Sequence, residues 1–329
     1  MATIQPEEIK MYKSEVMLDT SSGGGRMSSS LVASGVRNNI FPDVLETERV
    51  NGSTKYRKVF FKVENAQNTV LADSRVYLAL PTTGEDYITM FAGTQTDTQA
   101  DLTGSERNYG GAQLVNDLVA GDTQLVVEVE HTDIANEIFQ TGDSIWIGGS
   151  VDEELHENIT VVSVTDRQVT IQLQDGDAIQ HDFTASDTHV SSLLILGDIG
   201  VGLENFTVNS TNGTYDNTNN PIQLNSVGTV FDNWTITFTS DADFTCEGEY
   251  TGNVGSGYIT ADFSPENPDF STPYFTIPSA GWGGTFAAND TVTFTTIPAA
   301  KAVWLKRVVV PGMNVTSNMF RIGILGKVY

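Results

Sequence analysis

Segments in which apolar and polar side chains alternate at every second residue recur along this chain of 329 residues. Residues 158–165 and 168–174 alternate in this way and are separated by a tight turn. Residues 234–239 and 291–296 have a similar, threonine-rich pattern. A period of two places successive side chains on opposite faces of a β-strand. The pattern therefore predicts short antiparallel strands that bury one face.

The composition agrees with an all-β fold. Glycine, serine, threonine and asparagine are abundant, and charged residues reach only 18%, which argues against a helical bundle or a coiled coil. We expect several small antiparallel β-sandwich or barrel units with short helical turns. One such turn is expected at residues 6–12, and a short helix at residues 132–139, with Thr132 as its N-cap. Cys246 is the only cysteine, so no intrachain disulfide can form.

The acidic residues are concentrated in the middle of the chain. Residues 116–197 hold one basic and 16 acidic side chains, a net charge of −15 out of −25 for the whole chain. We predict that this segment forms a compact acidic β-barrel or open sandwich, between a β unit at residues 46–115 and a β-sandwich-like unit at residues 198–329. A strongly negative protein repels phosphate backbones and anionic membranes, so we expect no specific nucleic-acid partner and no membrane partner.

The first 45 residues have the composition of a flexible segment. Residues 21–30 place three consecutive glycines among serines, and glycine loses more backbone entropy on ordering than any other residue. Ile40, Phe41 and Val44 follow as apolar anchors. We expect residues 1–45 to be a flexible N-terminal assembly arm that becomes ordered on a neighbouring protein.

Three further segments are predicted to be strands. Residues 55–63 and 74–80 are expected to lie in one antiparallel sheet. Residues 301–310 are strand-like and contain Trp304, Lys306 and Arg307, the last two being basic in an otherwise acidic chain. We expect this strand to contact an acidic partner surface. The alternative is a buried strand whose two basic side chains mark its solvent side.

The sequence contains no motif that indicates chemistry. It has no Gly-x-Gly-x-x-Gly, no phosphate-binding loop, no Gly-x-Ser-x-Gly and no His-Glu-x-x-His. We therefore expect no catalytic residue and no cofactor. The four histidines lie in the acidic segment, but their spacing matches no metal motif and their acidic neighbours indicate surface positions, so we expect no metal site. They are His131, His156, His181 and His189.

The tryptophans are interpreted as packing anchors. In β-rich units a lone tryptophan is more often an anchor in a core or interface than a platform for sugars. The four are Trp146, Trp234, Trp282 and Trp304. Residues 1–10 lack the basic and apolar regions of an export signal, and a single cysteine fits a reducing compartment. We therefore expect folding in the cytoplasm.

Three groups of segments carry a resemblance to a known family. They are residues 10–15, 24–27 and 35–44; residues 96–107; and residues 263–268, 281–284 and 290–294. These segments are similar to structural proteins of tailed bacteriophages, especially contractile-tailed phages. The resemblance implies a non-enzymatic virion subunit at the neck or collar of the head–tail junction, with the baseplate or tail tip as the alternative, where the subunit would serve a structural or receptor-binding role.

The resemblance also implies partners and a location. The partners are copies of the chain in a symmetric ring, together with portal or connector and tail proteins. The location is the virion, assembled in the host cytoplasm. A tail-associated glycan hydrolase is a less favoured alternative, and it would need a cleft with two close carboxylates and aromatic platforms.

Overall fold

The computed structural model describes residues 3–82, 84, 86–312 and 318–328, and the described chain is predominantly β-structure. All strand pairs are antiparallel, and they form several separate sheets. The prediction of an all-β fold made of several antiparallel units is therefore confirmed. No helix in the described ranges is long and apolar enough to span a membrane.

The described residues up to position 199 contain one α-helix and thirteen strands. They are β1 (Ile9–Val16), β2 (Gly24–Leu31), α1 (Glu46–Asn51), β3 (Ser53–Val63), β4 (Leu71–Leu80), β5 (Tyr87–Ala92), β6 (Gly111–Leu114), β7 (Gln124–Glu128), β8 (Ile145–Gly148), β9 (Glu153–His156), β10 (Thr160–Thr165), β11 (Gln168–Gln172), β12 (His189–Ser192) and β13 (Leu194–Ile199).

The described residues from position 202 onward add eleven strands. They are β14 (Gly202–Asn209), β15 (Gly213–Tyr215), β16 (Asp232–Phe238), β17 (Asp243–Gly248), β18 (Gly252–Tyr258), β19 (Glu266–Asn267), β20 (Thr272–Pro273), β21 (Trp282–Gly284), β22 (Thr291–Ile297), β23 (Ala300–Val309) and β24 (Arg321–Lys327). Short 3-10 helices lie at Pro6–Glu8, Gln99–Asp101, Thr132–Ile134, Ala185–Asp187 and Ser279–Gly281.

Two sheets form a central sandwich from residues far apart in sequence. The five-stranded sheet has the order β2-β1-β3-β23-β5, and the three-stranded sheet has the order β13-β4-β24. Their facing side chains, such as Phe61 and Val303 from the first sheet and Leu78 and Leu194 from the second, pack into one core. Strand β23 lies between β3 and β5, so the central sandwich is completed by the later part of the chain.

Two further units are formed by parts of the chain that lie, in sequence order, between strands of this sandwich. The seven-stranded unit is an open sheet with the order β10-β11-β7-β6-β12-β8-β9, so its described strands do not form the barrel that was one of the two predicted forms. The aromatic unit has the sheet order β14-β22-β16-β17-β18 and a core rich in Phe and Trp side chains. Each unit has its own hydrophobic core.

The local predictions were more accurate than the assignment of strands to sheets. The hairpin of β10 and β11, the paired strands β16 and β22, and the helical turn at Pro6–Glu8 are all present. Strands β3 and β4, however, lie in different sheets of the sandwich. The helix expected at residues 132–139 is only the 3-10 turn Thr132–Ile134, with His131 as its N-cap in place of Thr132.

The sheets combine strands from across the predicted limits of 46–115, 116–197 and 198–329. Strand β6 joins the seven-stranded sheet, β13 joins the central sandwich, and β23 and β24 return to the central sandwich. Whether each predicted range folds by itself stays a prediction.

Part of the predicted N-terminal arm, residues 1–45, forms the hairpin of β1 and β2, and the role of the arm in assembly stays a prediction. This hairpin is the edge of the five-stranded sheet, with β1 paired to β3. Its glycines permit close packing: a Cβ atom on Gly24, whose φ is +105°, would lie 2.6 Å from the ring of Trp304. The glycine run therefore reflects a tight contact and a left-handed backbone.

A buried ion pair fixes α1 to the central sandwich. Arg49 donates to both carboxylate oxygens of Asp86 at 2.7 and 2.8 Å, and also to the carbonyl of Val310. The two charged side chains are only 6% and 5% exposed. Because both oxygens of the carboxylate are engaged, the pair has the bidentate geometry that is strongest for arginine.

A buried lysine lies where the central sandwich meets the aromatic unit. Lys62 of β3 is fully buried, and its ammonium group donates to the carbonyl of Val227 and lies 3.6 Å from the ring centre of Phe270. Glu64 is 3.1 Å away. Burial lowers the pKa of Lys62 from 10.5 to about 8, although Glu64 opposes this shift.

Because of this lysine, the free energy of unfolding changes with pH in the alkaline range. Between pH 8 and 10 the unfolded chain binds more protons at this residue than the folded chain, so its contribution to stability rises with pH. In the wild type, Lys62 should raise the free energy of unfolding by about 2–3 kcal/mol between pH 8 and pH 10. The Lys62→Met variant should not show this rise. Above pH 10 the opposite effect of Tyr12 begins, because burial raises the pKa of that hydroxyl.

Urea denaturation of both proteins at several pH values measures the difference. The comparison with Lys62→Met cancels the other titrating groups. Equal pH dependence in the two proteins would contradict the proposed role of Lys62.

Candidate assembly surface

The structure brings together two residues that the sequence analysis chose from opposite ends of the chain. The guanidinium carbon of Arg307 lies 4.8 Å from the ring centre of Phe41, and Arg307 donates to the carbonyl of Pro42 at 2.7 Å. Phe41 is 7% exposed and Arg307 is 8% exposed. The loop before α1 is therefore packed on the sandwich, and Ile40 and Val44 beside Phe41 are half-buried.

The remaining predicted contact residues lie on β23. Trp304 is fully buried, and its indole N–H donates to Asp97 at 2.8 Å. Lys306 is half-buried and has no ion-pair partner among the described residues. Arg307 does not mark a solvent-exposed side, because its guanidinium is covered. Contact between these residues and a partner protein stays a prediction. Lys306 is the member whose positive charge has no ion-pair partner among the described residues.

The histidines do not all lie on the surface as expected. His156 is 1% exposed, with its Nδ1 atom 2.7 Å from Asp177 and its Nε2 atom 2.9 Å from Glu154. The Nδ1 atom of His181 contacts the same Glu154 at 2.8 Å. No group of three or more His, Cys, Asp or Glu side chains in the described ranges has an arrangement that could hold a metal ion.

His131 and His189 lie elsewhere. The ring of His131 stacks on Tyr87 at 5.6 Å and caps its own 3-10 turn. Burial lowers the pKa of His189, and nearby Arg321 acts in the same direction.

An exposed apolar patch spans the three-stranded sheet and the edge of the seven-stranded sheet. We call it the exposed patch and define it by the residues Tyr77, Trp146, Leu155, Ile195 and Leu325. Its continuity follows from direct contacts: the Tyr77 and Trp146 rings are 4.5 Å apart, and Trp146 pairs with Leu155 across β8 and β9. Ile195 is 57% exposed and Leu155 is 44% exposed, so these two members face solvent in the isolated chain, whereas Tyr77 and Leu325 are half-buried and Trp146 is only 7% exposed.

Strand register places the other members of the exposed patch on the same face. Ile195 and Leu325 both lie opposite Arg75, on either side of β4. The neighbouring residue Val76 points into the core of the sandwich. Because side chains alternate along β4, Arg75 and Tyr77 share the outer face with their cross-strand partners.

The sequence holds Trp146 in place by local means. A Cβ atom on Gly148 would lie 1.9 Å from the indole ring, so only glycine lets the ring fold back along its strand. The indole N–H donates to Glu153 on β9 at 3.0 Å. Burial raises the pKa of the adjacent Tyr77 hydroxyl, and the negative charge of Glu153 adds to the shift.

Most of the charges within and beside the exposed patch are paired. Arg75 contacts Glu157 at 2.8 Å and Asp73 at 3.0 Å, and Lys327 contacts Asp73 at 3.2 Å. Hydrogen bonds from Lys327 and Arg75 hold the pKa of Asp73 below its usual value. These two cations and two anions cancel, and Glu153 beside Trp146 remains as a negative charge with no ion-pair partner among the described residues. The face is therefore close to neutral, whereas the whole chain carries −25, and another acidic protein meets less repulsion here than elsewhere.

Strand β9 also differs from most other sheet edges. Six of the eight edge strands in the four larger sheets have register shifts in their pairing: β2, β10, β13, β14, β18 and β24. Such irregularities disfavour uncontrolled addition of another strand. The edge strand β5 is partly covered by a bridge between Met90 and Tyr109. By contrast, β9 pairs with β8 in regular register and presents Leu155 outward.

The exposed patch was not predicted from the sequence. An apolar residue in a strand is usually read as core, and Leu155 and Ile195 give no signal of exposure. The strongest available signal was Trp146 followed closely by glycine, which was interpreted only as packing. Burial of Trp146, Trp234 and Trp304 confirms the packing interpretation for those three residues.

No protein-family model matches the chain, and no curated protein is significantly similar to it.

Proposed function

We propose that this chain is a non-enzymatic structural subunit of a bacteriophage virion, placed at the neck or collar, that binds copies of itself and other virion proteins. The exposed patch is the observation that carries the proposal. Exposed apolar side chains such as Leu155 and Ile195 on one nearly neutral face, on a protein of net charge −25, are typical of an interaction site. The resemblance of several segments to phage structural proteins supports the choice of particle.

The patch suits assembly into a ring. Identical copies that bind through different surfaces form closed rings when the rotation between them closes. A regular, open edge strand beside the apolar patch adds backbone donors and acceptors to such a contact. The patch lies on the central sandwich and the seven-stranded unit together, so binding there engages both.

Changing two exposed side chains tests the proposal. Leu155→Glu combined with Ile195→Glu should weaken self-association by about a hundredfold or more, because two negative charges enter the contact. Each replacement should change the free energy of unfolding by only about 0.5 kcal/mol, since both side chains are largely exposed. Light scattering after size-exclusion chromatography, at a series of concentrations, measures the association.

The matched control adds the same charges elsewhere. Val119 and Val162 are 56% and 54% exposed and lie outside the exposed patch. Their double replacement with glutamate should leave association unchanged. A wild-type protein that stays monomeric at all concentrations and cleaves a polysaccharide would overturn the structural role. Electron microscopy of particles with labelled copies distinguishes the neck or collar from the baseplate.

A further inference from the structure

A cleft of ≈ 330 Å³ lies between the N-terminal hairpin and the aromatic unit. Its volume is near the lower end of the range for small-molecule sites, which is roughly 300–1,000 Å³. The side chains that matter for binding come from β2, from the loop after β5 and from the aromatic unit. They are Arg26, Gln95, Phe231, Tyr250, Asp269 and Tyr274.

The turn that carries Tyr250 is held by a buried carboxylate. Asp232, fully buried, accepts the backbone N–H groups of Tyr250 at 3.1 Å and Thr251 at 2.8 Å. Arg26 reaches across from the hairpin, with its guanidinium carbon 4.9 Å from the Tyr250 ring centre and its Nη1 atom 3.8 Å from Asp232. The ring is thus positioned before any ligand arrives, yet Tyr250 remains 44% exposed.

Gln95 lines the same cleft and carries an unsatisfied acceptor that is closed to solvent. The Nε2 atom of Gln95 donates to the carbonyl of Ala300 at 2.8 Å, which fixes the orientation of the amide. Its Oε1 atom is buried and has no hydrogen-bond partner among the described residues. Leaving a buried acceptor unpaired costs about 1–3 kcal/mol. A ligand that donates a hydrogen bond to Oε1 would recover that free energy once the atoms that cover Oε1 move aside.

The charged side chains that line the cleft indicate which ligand charge the cleft accepts. A cation would meet the guanidinium of Arg26, which already pairs with Glu15 at 2.8 Å. An anion would meet the carboxylates of Glu15 and Asp269, both of which line the cleft. A neutral molecule with several hydrogen-bond donors and acceptors can bind both the guanidinium and the carboxylates. Phe231, Tyr250 and Tyr274 supply aromatic surface for its apolar parts.

We propose that this cleft binds a pyranose ring of a saccharide. Sugar hydroxyls both donate and accept, so they can satisfy Gln95 Oε1 and Asp269 on one side and Arg26 on the other. The C–H groups of the ring pack on the aromatic side chains. This binding activity goes beyond the structural role and does not depend on the exposed patch, which lies on other strands.

Ligand-observed NMR with the intact protein tests the proposal. The probes are the methyl glycosides of glucose, galactose, mannose and N-acetylglucosamine at millimolar concentration, followed by the corresponding disaccharides. We expect saturation transfer to the ring protons of at least one glycoside. A disaccharide that binds more tightly than its monosaccharide would identify the site as one for a glycan chain.

Two variants and a matched control locate the binding. Tyr250→Ala and Gln95→Leu should each weaken it by about tenfold. Tyr258→Ala removes another exposed tyrosine, 59% exposed on β18 and outside the cleft lining, and should leave binding unchanged. Thermal unfolding confirms that the exposed-residue variants remain folded.

Three results would overturn the proposal: no transfer to any glycoside, equal binding by the wild type and Tyr250→Ala, or preferential binding of acetyl-arginine amide or of acetate. The last would assign the cleft to a charged ligand.

Discussion

The Arg49→Met variant is expected to lose about 3–5 kcal/mol of its free energy of unfolding. The reason is the carboxylate that remains. Asp86 is only 5% exposed, and the bidentate contact with Arg49 is its charge partner. Removing the guanidinium leaves a buried negative charge without compensation and also frees the carbonyl of Val310. Urea denaturation at neutral pH measures the loss.

The double variant Arg49→Met with Asp86→Leu separates charge from packing. Replacing both members of a buried ion pair by apolar residues of similar size is often close to neutral. The double variant should therefore recover most of the lost stability. If it is as unstable as Arg49→Met alone, the loss comes from packing around α1 and the electrostatic explanation fails.

An exposed pair on the same chain provides the control. Arg37 and Asp43 form an ion pair at 3.0 Å, but their side chains are 82% and 59% exposed. Arg37→Met should change the free energy of unfolding by only about 0–1 kcal/mol, because solvent screens such a pair.

The Trp304→Ala variant should be destabilised by about 3–5 kcal/mol. Trp304 is fully buried on β23, donates to Asp97, and packs against Phe91 and Gly24 of the hairpin. The truncation opens a cavity and leaves Asp97 without the indole donor. Because β23 is an inner strand of the five-stranded sheet, the whole sandwich should become less stable.

Lys306 provides the comparison for this strand. It is half-buried, and Lys306→Ala should cost only about 0.5 kcal/mol. Both variants are measured by urea denaturation. A Trp304→Ala protein with the wild-type midpoint would show that the indole is not part of the core, and its predicted role as a partner contact would then regain support.

Local structure was predictable because its causes are local. The turn at residues 166–167 and the alternation on either side are sufficient to define the hairpin of β10 and β11. Similarly, the pattern of residues 291–296 identifies β22, whose alternate side chains Val292 and Phe294 enter the core. Period-two alternation works here because one face of each strand is buried and the other is not.

Sheet membership could not be predicted in the same way. Strand β23 pairs with β3, and Val303 lies opposite Val59, although the two strands are far apart in sequence. Nothing within either strand specifies the other. Lys58 and Lys62 on β3 were also hard to interpret, because both are fully buried although lysine usually marks the solvent side.

The candidate site was predictable only in part. Phe41 and Arg307 were chosen from the sequence and do meet, but in the interior, where Arg307 lies over the ring of Phe41. Exposure of Leu155 and Ile195 depends on which strands happen to cover a face, and that is a property of the tertiary structure. A tryptophan pattern alone could not show that the Trp146 ring folds back over Gly148.

The position of β23 has a consequence for the order of folding during synthesis. Strand β5 ends at residue 92, while β23, which must lie between β3 and β5, begins at residue 300. At translation rates of roughly 5–20 residues per second, the ribosome needs on the order of ten seconds or more to make the intervening chain. Throughout that interval β3 and β5 have unpaired edges, which are exposed to chaperones and to other nascent chains. The seven-stranded and aromatic units, whose strands lie within that interval, can form their sheets before the sandwich that carries them is complete.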